Sequence, residues 1–209
     1  TFVEALMACG SAQRIRGLEH LQRFVAGQQT VRDHVATRDR LVAGQNPLAI
    51  VLRCADSRTA PEIIFDQGLG SLFVCAVAGQ IPTQELVASM EYAVTQLETP
   101  LIVVMGHTGC GAVQAAVDHF DSDEGLPGSL PSLVARIRPA VEDARARGVH
   151  DLSGAVAANV RLGIRRLTEM SDIIRDGVAA GTLVLVGGGP RSEDRRLLAD
   201  QSLDRRSIA

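Results

Sequence analysis

Four short apolar runs limit the folds open to this chain more than any other feature of its sequence. They cover residues 48–52, 71–77, 101–105 and 182–186. A continuous apolar run of this length is typical of a β-strand buried on both faces, which is the environment of strands in parallel sheets. Between the runs, apolar residues recur three and four positions apart, as in 86–97 and 156–167, which indicates helices with one buried face. The alternation predicts an α/β fold with a mostly parallel central sheet flanked by helices.

The chain of 209 residues shows no internal repeat and no linker, so we interpret 1–209 as a single domain. Residues 1–16 are interpreted as an N-terminal extension, and short helices are predicted over 17–27 and 30–44. A stretch rich in Asp, Gly, Ser and Pro predicts a loop over 121–131. The end of the chain, residues 187–209, begins with three glycines and then becomes charged, with little strand pattern. This composition is typical of a disordered tail.

Charge and cysteine content restrict the partners and the compartment. A net charge of −3 and a pI near 5.9 argue against nucleic acid or an anionic membrane as the main partner. No apolar run approaches the roughly 20 residues that a bilayer-spanning helix needs. Four cysteines are too few for a disulfide scaffold in a chain this long, so we expect reduced thiols and a cytoplasmic setting.

The residues that carry chemistry follow two of the predicted strands directly. Cys54, Asp56 and Arg58 come after the first strand, whereas His107 and Cys110 come after the third. In open parallel sheets, ligands bind beyond the carboxyl ends of the strands, so the two segments can converge on one site. Thiolate and imidazole are the ligands that zinc prefers, and two Cys with one His leave a fourth position for water. We therefore predict one zinc ion per chain, held by these two cysteines and the histidine.

Each residue also has a simpler interpretation. A single cysteine at a strand end is usually a small buried hydrophobic residue, and this is our interpretation of Cys75. The pairing of Asp56 with Arg58 could be a structural ion pair. Beside a metal, however, Asp56 has two competing partners: it can take the open zinc position, or it can bond Arg58 and leave the zinc to water.

The sequence resembles the β-class carbonic anhydrases from about residue 18 to residue 186. Four segments match that family in order: Gly44-Gln45-Asn46-Pro47, Cys54-Ala55-Asp56-Ser57-Arg58, Glu91-Tyr92-Ala93 and Gly106-His107-Thr108-Gly109-Cys110-Gly111. The resemblance implies hydration of carbon dioxide to bicarbonate and a proton, by attack of zinc-bound hydroxide. It also implies a homodimer or tetramer, because the sites of the family lie at subunit boundaries.

The resemblance assigns further roles by position. It implies that Asp56 either ligates zinc in a resting form or pairs with Arg58 in the active form. Gln45 and the backbone N–H of Gly111 are expected to hydrogen-bond the substrate. The apolar pocket for carbon dioxide is expected to be lined by Phe73 and by Tyr92, the latter reaching in from a second subunit.

The chain also departs from the family pattern. Ala76 and Val77 stand where the family usually has an Arg-Asn pair, and Gln80 stands where it has the Asn of Ala-Gly-Asn. A regulatory bicarbonate site that uses this Arg in some members is not expected here. Two alternative functions remain: hydrolysis of carbonyl sulfide or carbon disulfide at the same zinc site, and a catalytically silent zinc-binding homologue.

Overall fold

A computed structural model describes residues 39, 41–190 and 197–199. Its strands are β1 (Ala49–Arg53), β2 (Leu72–Ala76), β3 (Leu101–Met105), β4 (Val184–Pro190) and β5 (Leu197–Ala199). Its helices are α1 (Pro61–Ile64), α2 (Gln84–Gln96), α3 (Gly111–Asp118), α4 (Leu130–Ala146), α5 (Leu152–Met170) and α6 (Asp172–Ala180), with a 3-10 turn at Ala78–Gln80. The two helices predicted before residue 45 lie almost entirely outside the described residues.

The sheet has the strand order β2-β1-β3-β4-β5, and its first four strands are parallel. The sequence therefore predicted the fold class correctly, and the predicted strand at 101–105 has the observed bounds. Parallel neighbours require crossover connections, which the helices provide. Because β1 and β3 are adjacent, with Arg53 opposite Met105, their carboxyl ends lie side by side at one edge of the sheet.

Both faces of the sheet are buried. Ile50, Leu52 and Val104 lie in the larger core cluster with residues of α2, α5 and α6, while Val51 and Val103 lie in a second cluster on the other face. This alternation follows from the period of two along a strand. It explains why the sequence showed continuous apolar runs. Over the described part of the chain, no helix is long and apolar enough to cross a bilayer.

The end of the sheet differs from the expectation. The sequence interpretation ended the fourth strand at Val186, but β4 continues to Pro190 and pairs with β5 in antiparallel orientation. Gly187 is required by packing rather than by a loop. A Cβ built on Gly187 would lie 2.5 Å from Val160 Cγ1 and 2.6 Å from Ile164 Cδ1, so α5 packs directly on the strand. Residues 191–196 and 200–209, also assigned to a tail, lie outside the described residues.

Candidate metal centre

Cys54, His107 and Cys110 meet at the carboxyl edge of the sheet. Cys54 directly follows β1, and the other two lie in the short connection between β3 and α3. One ligand atom from each residue lies within 4.8 Å of the others, and all three side chains are buried. The convergence predicted for the two strand ends is therefore observed, and these three residues could hold a metal ion.

The spacing of the two sulfurs suits a tetrahedral ion. Cys110 Sγ lies 3.9 Å from Cys54 Sγ. Metal–sulfur bonds of about 2.3 Å in a tetrahedral site separate two sulfurs by about 3.8 Å. The two sulfurs therefore need little rearrangement to accept zinc.

His107 is oriented with one ring nitrogen toward the cluster. Its Nδ1 lies 3.1 Å from the carbonyl oxygen of Thr108, and a carbonyl can only accept, so the proton belongs on Nδ1. This tautomer leaves a lone pair on Nε2. Among the described residues, buried Nε2 has no hydrogen-bond partner, as expected for an atom whose partner is a metal.

The environment of the two thiols favours a thiolate at Cys54. The pKa of Cys54 lies well below its usual value, first because the Cys110 thiol donates to its sulfur and further because the Gly79 N–H also donates to it. The pKa of Cys110 is raised by the same contact and by burial. The N-terminus of α3 acts in the opposite direction, since the N–H groups of Ala112 and Val113 lower the pKa of Cys110, but the effects of the neighbouring sulfur and of burial are larger.

Asp56 is paired with Arg58, which is one of the two arrangements left open by the sequence. Arg58 Nε donates to Oδ1 at 2.9 Å and Nη2 donates to Oδ2 at 2.6 Å. The Arg58 backbone N–H also donates to Oδ1, at 2.9 Å. These bonds hold the pKa of Asp56 far below its usual range. The carboxylate remains near the cluster, with Oδ2 4.0 Å from His107 Nε2, which is beyond hydrogen-bond distance.

Two residues that the sequence analysis did not single out hold the loop that carries Cys54 and Asp56. Arg53 Nη1 donates to the carbonyl oxygen of Cys54 at 2.7 Å. Thr59 Oγ1 donates to the carbonyl oxygen of Asp56 at 2.8 Å. Both bonds are made to carbonyl oxygens that lie beyond the end of β1, outside its ladder of hydrogen bonds. No motif pointed to them, because their role depends only on the path of the backbone.

The expected substrate residues are spread more widely. Gly111 begins α3 directly beside Cys110. Gln45 instead lines a surface depression with residues of α1 and of the segment before β2. Phe73 lies within β2 opposite Ile50, and Tyr92 is 51% exposed on α2. A single chain thus brings Gly111 to the cluster, and the roles of Gln45, Phe73 and Tyr92 stay predictions.

Gln80 is buried in the 3-10 turn that follows β2. It is 1% exposed and has a φ of 42°. Within the described part of the chain, neither its Oε1 nor its Nε2 has a hydrogen-bond partner. The preceding residue, Gly79, was also missed by the sequence analysis, although it donates its N–H to Cys54 Sγ at 3.3 Å.

The fold and the cluster together define an α/β protein with a candidate metal centre at the carboxyl edge of a parallel sheet. A family model described as carbonic anhydrase matches residues 49–193. Carbonic anhydrase 2 of Mycobacterium tuberculosis is 42% identical over 177 residues, which cover 84% of this chain and 85% of that protein. Carbonic anhydrase of Mycolicibacterium smegmatis is 41% identical over 166 residues, covering 79% and 81%.

Solved structures agree with this likeness. The β-carbonic anhydrase CcaA matches with a TM-score of 0.68 at 28% identity, covering 89% of this chain and 94% of that one. A tetrameric β-carbonic anhydrase of Sordaria macrospora has the same fold, with a TM-score of 0.66 at 24% identity over 77% of this chain and 83% of its own. The chain belongs to the β-carbonic anhydrase family, whose general function is the hydration of carbon dioxide.

Proposed function

We propose that this protein catalyses the reversible hydration of carbon dioxide to bicarbonate and a proton, with one zinc ion held by Cys54, His107 and Cys110. One observation carries the proposal. Three buried ligand atoms lie within 4.8 Å of one another, while the neighbouring carboxylate of Asp56 is bonded to Arg58 and so leaves a fourth position for water.

The donor set fits zinc on its chemistry. Two sulfurs and one imidazole nitrogen suit a borderline-soft cation, and the Nδ1 contact of His107 with the Thr108 carbonyl fixes the ligating tautomer. A zinc ion in such a site lowers the pKa of water from about 15.7 to about 7, which supplies hydroxide near neutrality.

Asp56 orients the attacking water. Its Oδ2 lies 4.0 Å from the ligating nitrogen of His107, so the carboxylate borders the fourth position without occupying it. Because Arg58 keeps the pKa of Asp56 low, this group is an acceptor and not a donor at neutral pH. Accepting a hydrogen bond from the water fixes the direction of the oxygen lone pair toward carbon.

The product needs hydrogen-bond donors, since bicarbonate is an anion. Gly111 begins α3, and the first N–H groups of a helix have no partner within the helix. Gly111 is also exposed, and a Cβ built on it would meet no described atom within 4 Å. We assign its N–H to bicarbonate, with Gln45 as the second donor.

We propose that the functional unit is a homodimer or tetramer in the cytoplasm. The described cysteines Cys54, Cys75 and Cys110 are free thiols, which suits a reducing compartment. Tyr92 is exposed, and Gln45 lines a depression that includes none of the three cluster residues. Both observations favour a pocket completed by a second subunit. The tetrameric relative of the same fold supports an assembly of this kind.

The test is stopped-flow measurement of proton release from carbon dioxide, combined with zinc analysis, on wild type and Asp56→Asn. We expect stoichiometric zinc in both and a loss of about 100-fold or more in the variant. Asp121→Asn, which changes an exposed loop carboxylate, is the matched control and should retain full activity.

Two outcomes would contradict the proposal. Stoichiometric zinc with no hydration between about pH 7 and pH 9, the range in which such an enzyme should be active, would indicate a catalytically silent homologue. Release of sulfide from carbonyl sulfide or carbon disulfide, with negligible carbon dioxide hydration, would instead indicate a hydrolase using the same site.

A further inference from the structure

The amide of Asn159 is buried in the middle of α5. Its residue is 3% exposed, on a helix that otherwise buries aliphatic side chains there. A buried amide is costly unless it is hydrogen-bonded, so its partner explains its presence. That partner is the carbonyl oxygen of Gly79, which accepts from Asn159 Nδ2 at 2.7 Å. Since a carbonyl can only accept, the NH2 end of the amide must face it.

Gly79 is held on its other side by the metal centre. Its N–H donates to Cys54 Sγ at 3.3 Å, in a buried contact between residues 25 positions apart. Its backbone has a φ of 70° and a ψ of 15°, which a residue with a side chain rarely adopts. A Cβ on Gly79 would lie 2.6 Å from Ile137 Cδ1, so α4 packs closely against the same turn. The position of this N–H is therefore set by tertiary packing.

Helix α5 also contacts the backbone directly before the histidine ligand. A Cβ built on Gly106, the residue before His107, would lie 2.6 Å from Val160 Cγ2 and 3.1 Å from Val156 Cγ1. Asn159 lies between these two valines in sequence. The buried side of α5 thus contacts the Gly79 turn, which bonds Cys54, and the segment that carries His107.

We propose that Asn159 is a positioning residue of the metal centre, which fixes the Gly79 turn so that its N–H bonds the sulfur of Cys54. The inference rests on the proposed zinc site. An N–H bond to a ligating sulfur withdraws electron density from it and fixes its direction. Such partners of a ligand typically change metal affinity by about 10- to 100-fold when they are removed.

The test compares Asn159→Leu, which keeps the volume and removes the donor, with Leu162→Ala. Leu162 is a matched control because it is buried on the same helix, in a separate cluster with Ala140, Ala144 and Ala158. Zinc affinity is measured by chelator competition, and the thiolate-to-metal charge-transfer band is recorded on the Co²⁺-substituted proteins. Neither measurement depends on turnover.

We expect Asn159→Leu to bind zinc about 10- to 100-fold more weakly and to shift the charge-transfer band to lower energy, because the sulfur becomes more electron-rich. Leu162→Ala should lower the stability of the zinc-free protein while leaving affinity and band unchanged. A wild-type affinity and band in Asn159→Leu, or equal losses in Leu162→Ala, would overturn the inference and leave the zinc site standing.

A measurement on wild type covers the case in which Asn159→Leu does not fold. In the ¹¹³Cd-substituted protein, a hydrogen bond from the Gly79 N–H to the Cys54 sulfur should give a scalar coupling between the amide proton and the metal. Absence of that coupling in a metal-loaded protein would overturn the inference alone. Failure of the wild type to bind any of these metals would overturn the zinc site as well.

Discussion

Arg58 bonds both carboxylate oxygens of Asp56, and its Nη2 also donates to the carbonyl oxygen of Gly109 at 3.2 Å. Gly109 belongs to the connection after β3, which carries His107 and Cys110, whereas Asp56 belongs to the connection after β1. The guanidinium therefore bridges the two segments that carry Cys54, His107 and Cys110. A bidentate carboxylate pair has a fixed geometry that a lysine could not reproduce.

Arg58→Ala should abolish turnover while zinc stays bound. The Arg58 side chain is 64% exposed, and exposed ion pairs contribute little to stability, so the fold should tolerate its loss. Without its partner, Asp56 is free to move onto the metal and occupy the position of the attacking water. We expect a loss of about 100-fold or more in proton release measured by stopped flow.

Arg58→Lys is the graded control for that experiment. A lysine keeps the charge but offers one donor group instead of a planar pair, so we expect intermediate activity. X-ray absorption at the zinc edge should report an added carboxylate oxygen in Arg58→Ala. An Arg58→Ala protein with wild-type turnover would contradict the role assigned to this pair.

Gly79→Ala should destabilise the protein by about 1–3 kcal/mol, because the residue has a positive φ and its new Cβ meets a fully buried side chain. Gly181→Ala separates the two causes. Gly181 has a φ of 73° at the end of α6, but a Cβ there would meet no described atom within 4 Å. Denaturant unfolding should show the smaller loss in Gly181→Ala, and equal losses would exclude a packing contribution at Gly79.

Cys75 should make the protein less stable at high pH. Burial raises the pKa of its thiol from the usual 9.0 to about 11. The unfolded chain then ionises this thiol at lower pH than the folded chain. Its contribution is therefore complete below pH 9.0 and is lost as the pH rises toward 11.

Comparison of wild type with Cys75→Ala isolates this effect. The free energy of unfolding of wild type should fall by up to about 2 kcal/mol more than that of the variant between these two pH values. The zinc ligands are common to both proteins, so their titration cancels in the difference. Parallel pH profiles would show that Cys75 ionises without difficulty in the folded state.

Strand positions could be predicted from the sequence where burial on both faces made the apolar run continuous, as at Leu101–Met105. The extension of β4 through Gly187 could not be predicted in this way. Glycine is normally a loop signal, and only the close approach of Val160 and Ile164 shows why a side chain is absent there. Helices α4 and α6 were not identified in the sequence analysis either.

The sequence by itself indicated which residues could bind a metal, because thiolate and imidazole chemistry belongs to the residue types and the carboxyl ends of parallel strands lie at one edge of the sheet. It left open which partner Asp56 takes. In the tertiary structure Asp56 pairs with Arg58, which is also held by the Gly109 carbonyl, 51 positions away. The bond from Asn159 to Gly79 spans 80 positions and was likewise beyond any local pattern. Both relationships join atoms that only the folded chain brings within hydrogen-bond distance.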